Sequence, residues 1–156
     1  MAAPRARRGV LAACVALALA AAALLATACS SSPPASANDP AARAVNSLLE
    51  LRHARSRDAK AYGLFFKSDA IPKSLADAAA KETTKTKPPI PEWEAPYVSA
   101  TTSKTVDVVV VWKNSSDYPN HPAATLFTLG QYHNRWVVLD ARQVTDSGKV
   151  PPPAKR

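Results

Sequence analysis

A proline-rich stretch in the middle of this chain divides it into two kinds of sequence. Residues 82–96 (ETTKTKPPIPEWEAP) hold four prolines and no helical period. Proline has no amide donor and pushes the residue before it out of the helical region, so neither a helix nor a central strand runs through here. The sequence before this stretch has helical spacing, and the sequence after it has strand composition.

On the helical side, Asp39-Pro40 predicts a helix start. Asp accepts from first-turn amides, and Pro at the first helical position forfeits no hydrogen bond. Ala41, Ala44, Val45, Leu48 and Leu49 follow the helical period, and the apolar stripe fades at Arg52. Ser56 is expected to cap a short second helix carrying Ala59, Tyr62 and Phe66. A third helix is expected over 72–81, with Ser68 or Asp69 as its cap. In the proline-rich loop, Ile90 and Trp93 are expected to pack back on the domain.

On the strand side, four segments are expected: 97–103, 105–113 (TVDVVVVWK), 123–132 and 135–144. The turn-forming run 114–122 and the pair His133-Asn134 connect the last three. Helices followed by an antiparallel run predict an α+β fold, with helices on one face of a four-stranded sheet. The polar, proline-rich residues 147–156 read as a disordered tail.

The N-terminus lies outside that fold. Arg5, Arg7 and Arg8 precede an apolar or small-residue run over 9–28, and no acid occurs before Asp39. This is a targeting pattern. A buried core helix is the competing reading, and the arginines and the N-terminal position argue against it. Three exported readings stand: a lipoprotein signal, a plain signal peptide ending at Ala26-Thr27-Ala28, and an uncleaved anchor just long enough to span a bilayer. The small residues before Cys29 suit lipoprotein processing, with the lipid on that cysteine. Cys14 follows a better letter match, Leu11-Ala12-Ala13, but cleavage there would leave almost no apolar region ahead of it. The expected organisation is a signal over 1–28, a Ser/Pro tether over 29–39, a domain over 40–146 and the tail. The expected location is the extracytoplasmic side of the cell membrane, held by a fatty-acyl (palmitate-type) anchor.

Beyond residue 28 the chain has no cysteine except Cys29, so no disulfide staples the domain and its stability must come from its core. Three of the 20 basic residues and none of the 12 acids lie in the signal, which leaves a net charge of +5. That charge is mild and spread out, unlike the dense basic stripe with aromatics that nucleic acid requires. One local cluster comprises Arg52, His53, Arg55, Arg57 and Lys60. Cations near a helix C-terminus are ordinary; an attraction to anionic lipid is the sharper reading.

No catalytic constellation stands out. His53, His121 and His133 show no metal-ligand spacing, and no serine sits in a nucleophile elbow, so neither metal nor cofactor is expected. Asn114-Ser115-Ser116 matches a glycosylation sequon and also reads as a turn. Asp107 and Asp140 are the acids inside strong strands. Strand alternation turns Asp107 away from Val106, Val108, Val110 and Trp112 and places Asp140 on the face of Trp136 and Val138. The far face of the sheet, with Val109 and Val111, is too apolar for a wet face. A homodimer through that sheet face is the first expectation, and coverage by the proline-rich loop is the alternative.

Two stretches resemble a known family. Leu48-Leu49-Glu50-Leu51, then 54–62 (ARSRDAKAY) and Leu64-Phe65-Phe66, resembles the opening of NTF2-like domains of the SnoaL and ketosteroid-isomerase type. The hairpin over 131–141 (QYHNRWVVLDA) resembles that family's closing hairpin. The layout is also similar to mammalian-cell-entry-associated membrane proteins. The resemblance implies a curved sheet wrapped around helices as a cone. Tyr62, Phe66, Val108, Val110, Trp112 and Trp136 would line its cavity, which suits a small apolar ligand. The family hosts enzymes and binding modules alike. The first helix lacks an inward tyrosine and no acid is placed as an isomerase base. The expected role is therefore a non-catalytic binding or accessory domain, with an isomerase- or dehydratase-type enzyme as the alternative.

Overall fold

The computed structural model describes residues 35–155, so the segment containing Cys29 lies outside the described residues. The fold is α+β. Helices α1 (Pro40–His53), α2 (Ala59–Gly63) and α3 (Ala70–Lys81) precede β1 (Tyr97–Thr101), β2 (Thr105–Val111), β3 (Ala124–Tyr132) and β4 (Arg135–Val144). The four strands form one antiparallel sheet in the order β1-β2-β3-β4. Among the described residues no helix is long and apolar enough to cross a membrane.

Local chemistry sets the helix ends. Asp39 accepts from the Ala41 amide at 2.8 Å, and Pro40 opens α1. At the other end the Ser56 amide reaches back to Leu51 O at 2.9 Å and the Arg55 amide to Arg52 O at 3.1 Å. That is a Schellman turn, with Arg55 at φ 52° in the left-handed position usually held by glycine. The Ser56 hydroxyl accepts from the Asp58 amide at 3.3 Å, one step before the helix, so it does not cap α2. Asp58 takes that role, accepting from the Lys60 amide at 2.8 Å. The third helix begins at Ala70, two residues before the expected proline.

One face of α1 fills the main core. Ala41, Ala42, Val45 and Leu49 pack on Val98, Val106, Val108, Val110, Trp112 and Leu129, with Ile90 and Trp93 added from the proline-rich loop as expected. Burying a valine or leucine completely is worth about 1.5–3 kcal/mol. A second, smaller cluster gathers Leu48, Tyr62 and Ala76, with Phe65, Phe66 and Val138 at its margin.

The hairpin between β3 and β4 turns on His133 and Asn134, at φ 47° and 60°. Positive φ at both central residues matches the twist of the flanking strands. One feature of β4 corrects the sequence expectation. Leu129 pairs with Val138 but Thr128 pairs with Asp140, so Leu139 is an extra, bulged residue. The bulge reverses the alternation and moves Asp140 to the face opposite Trp136 and Val138. Gly130 makes room for it: a Cβ there would meet Leu139 Cδ1 at 2.8 Å.

The C-terminal segment departs from the expected disorder. A short 3-10 turn (Ser147–Lys149) follows β4, and the Ala154 amide donates to Val98 O on β1 at 2.9 Å. Tyr97 shares the far face with Val109, its cross-strand partner, and its hydroxyl donates to Pro151 O at 2.8 Å. The chain thus leaves one edge of the sheet and returns to the other beside the far face, where Val150 and Pro151 are half-buried and Val109 is fully buried. Three consecutive prolines cannot follow a helical or strand period, yet their fixed extended backbone suits a strap of this kind.

Candidate functional site

The six residues expected to line one cavity divide between the two clusters. Val108, Val110 and Trp112 are in the main core with Trp136 against it, whereas Tyr62 and Phe66 belong to the smaller cluster. Tyr62, Val108 and Val110 have no exposed surface. The Tyr62 hydroxyl donates to Leu51 O at 3.1 Å, and burial pushes its phenol above the ordinary value, with the Arg52 charge opposing and Glu82 assisting. These side chains fill volume between elements rather than bordering the clefts described below.

The most articulated surface lies at the end of the sheet where β2 gives way to the 113–122 turn. The proline-rich loop extends the sheet edge there. Trp93 bridges to Trp112, the Lys113 amide donates to Glu92 O at 2.8 Å, and the Glu94 amide donates to Val111 O at 2.9 Å. The result is a file of edge-on rings. His53 to Trp93 is 5.5 Å, Trp93 to Trp112 6.4 Å, Trp112 to His121 4.8 Å and His121 to Tyr118 5.9 Å between centroids. Edge-to-face rings at such spacings attract through their quadrupoles. Both indole N–H groups are engaged, Trp93 with Asn46 Oδ1 and Trp112 with Thr125 Oγ1, each at 2.9 Å.

Beside this file opens a cleft of about 200 Å³ bordered by His53, Lys87, Glu92, Lys113, Asp117 and Tyr118. It is smaller than the few hundred Å³ of a typical small-molecule site. Lys87 is fixed by a hydrogen bond to Asp117 O and lies 4.6 Å from the Tyr118 ring centroid, a cation–π arrangement. Two cations and two carboxylates balance, so the cleft suits a small polar group rather than an apolar one. Separate from it, a shallow apolar trough of about 430 Å³ runs between α1 and α2, bordered by Leu51, Ala54, Ala61, Leu64 and Phe65.

The basic cluster at the end of α1 is largely internal. Arg52 pairs with Glu82 at 2.6 Å, and Arg55 Nε lies 3.5 Å from the same carboxylate. Arg55 also donates to Thr86 O at 2.9 Å and to Lys87 O. These bonds fasten the start of the proline-rich loop to α1, and they explain an arginine in a left-handed position. Arg57 and Lys60 remain exposed. Glu82 was not identifiable from the sequence, because its partners lie 27 and 30 residues away and no local spacing links them.

Asp107 accepts from the hydroxyl of its cross-strand neighbour Thr128 at 2.7 Å, and Asp140 lies exposed beside Arg142. Among the described residues no three His, Cys, Asp or Glu side chains gather closely enough to hold a metal ion. Comparison with protein-family models, with curated proteins and with solved structures returns no match.

Proposed function

We propose that this chain is an exported protein held at the extracytoplasmic face of the cell membrane by a lipid on Cys29. Its domain is a non-catalytic accessory module of NTF2-like type that acts through its surface. The observation that carries this reading is the use made of the six expected cavity residues. Tyr62, Val108 and Val110 are packed without exposed surface, which supports a filled interior over an open ligand cone. The isomerase- or dehydratase-type alternative requires a free phenol or carboxyl deep inside. The Tyr62 hydroxyl is engaged with Leu51 O, and Asp107 with Thr128. The N-terminal pattern supports the address: three arginines, an apolar run and small residues directly before Cys29.

Cys29→Ser tests the anchor. It is expected to abolish fatty-acid labelling and leave an unprocessed precursor; continued labelling would refute the anchor. Native mass spectrometry of protein from its own host tests the filled interior. A mass without a retained small molecule is expected, and a stoichiometric bound molecule would refute that part of the reading.

A further inference from the structure

A sheet that is not closed into a barrel has two edges, each a row of backbone donors and acceptors that must meet water or a partner. In this domain the β1 edge is partly occupied, by Ala154 on Val98 and by the 3-10 turn at Ala35–Asn38. On β4, the first half of the edge is occupied too. The Val138 amide donates to Phe65 O at 2.9 Å, and Arg135 reaches Phe66 O. From Leu139 to Gln143 all five residues are exposed, and among the described residues no backbone hydrogen bond leaves this stretch outward. Its midpoint is Ala141.

We propose that this open half of β4 pairs antiparallel with the same stretch of a second copy, about a two-fold axis at Ala141. A two-fold pairing of a strand with itself must match residues whose numbers add to a constant. Centred on Ala141, it sets Asp140 opposite Arg142 of the second copy, and Arg142 opposite the second copy's Asp140. Both side chains are on the same sheet face, across from Thr128 and Leu126 of β3, and both are well exposed, at 62% and 65%. Shifting the centre to Asp140 or to Arg142 places like charges directly opposite each other, which is destabilising. The paired span is also the span available: Phe65 stops it beyond Leu139, and β4 ends at Val144. The first described residues, Ala35–Asn38, lie against β1, at the opposite edge of the sheet from β4. The bulge at Leu139 and the two charges are the devices that keep an edge from pairing indiscriminately. Here the charges select one register with one partner, a second copy of this chain.

The test uses the full chain, whose two cysteines, Cys14 and Cys29, both precede the domain and set the wild-type background. Directly opposed residues across an antiparallel pair are about 4.5–5.5 Å apart at Cα, within reach of a disulfide or a short bis-thiol reagent. Ala141→Cys is expected to cross-link to a dimer on mild oxidation. Gln143→Cys, which would face Leu139 of the second copy, is expected to stay at the wild-type background. In the Ala141→Cys background, Arg142→Asp sets acids against acids and is expected to lower cross-linking about tenfold. Adding Asp140→Arg to that variant exchanges the charges and is expected to restore it, which separates loss of pairing from loss of fold. Equal cross-linking at 141 and 143, a monomer at both, or no rescue by the double exchange would each overturn the proposal.

Discussion

The two hydrophobic clusters are built from the same kinds of residue but differ in how they are held. The main core is bounded on one side by α1 and on the other by three strands, and Ala41, Val45, Val108, Val110 and Leu129 are essentially inaccessible. The smaller cluster holds the elbow of α2 and α3 against the rest through Leu48, Tyr62 and Val138, and the elbow leaves Leu64 and Ile71 about half exposed. A sheet face fixes its neighbours through many strands at once. A short helix pair that buries Tyr62 and the small residues Pro72, Ala76 and Ala79 has fewer contacts to lose before it opens.

That contrast yields a graded set of expectations for unfolding in denaturant. Leu129→Ala in the main core is expected to cost about 3 kcal/mol through lost burial and a residual cavity. Deleting residues 147–156 removes the Tyr97–Pro151 and Ala154–Val98 hydrogen bonds and the packing of Ala154, and is expected to cost about 2 kcal/mol. A cost near zero would show that the strap adds nothing to the far face. Tyr62→Phe removes one hydrogen bond in the smaller cluster, at about 1 kcal/mol near neutral pH. Leu64→Ser, on the exposed side of the elbow, is expected to stay within about 0.5 kcal/mol. If Leu64→Ser matched Leu129→Ala, the elbow would be part of the main core and the contrast would fail.

The tyrosines add a pH dependence. Burial raises the folded-state phenols of Tyr62 and Tyr97 above their ordinary value of 10.0, with Glu94 adding to the effect at Tyr97. The fold therefore prefers the protonated form. This contribution is complete below pH 10.0 and is lost as pH rises through the folded-state values. Tyr62→Phe should therefore be less stable than the wild type near neutrality yet lose less of its stability above pH 10.0. An unchanged alkaline slope would remove Tyr62 as a source.

Much of this fold was legible because its determinants are local. Asp39-Pro40 marks the start of α1, the Val-rich run marks β2, and His133-Asn134 marks the last hairpin. What escaped the sequence depends on distant alignment. The bulge at Leu139 arises from how β4 meets Gly130 and Thr128 on β3, so strict alternation put Asp140 on the wrong face. Glu82 gains its role only when α3 returns the chain to the end of α1. The proline run of the tail has no period, and its order comes from Tyr97 and Val98, more than fifty residues earlier. The candidate site was legible in part. His53, Trp93 and Trp112 were visible as single residues, but their meeting in one file depends on the proline-rich loop joining the sheet edge.

The anchor on Cys29 is the premise on which the proposed role depends, and it has one direct test: the mass of the N-terminal peptide of protein taken from its host's own membranes. The expected result is a peptide that begins at Cys29 and carries a diacylated thioether on that residue. A peptide that begins at Met1, or one in which Cys29 is present and unmodified, would contradict it.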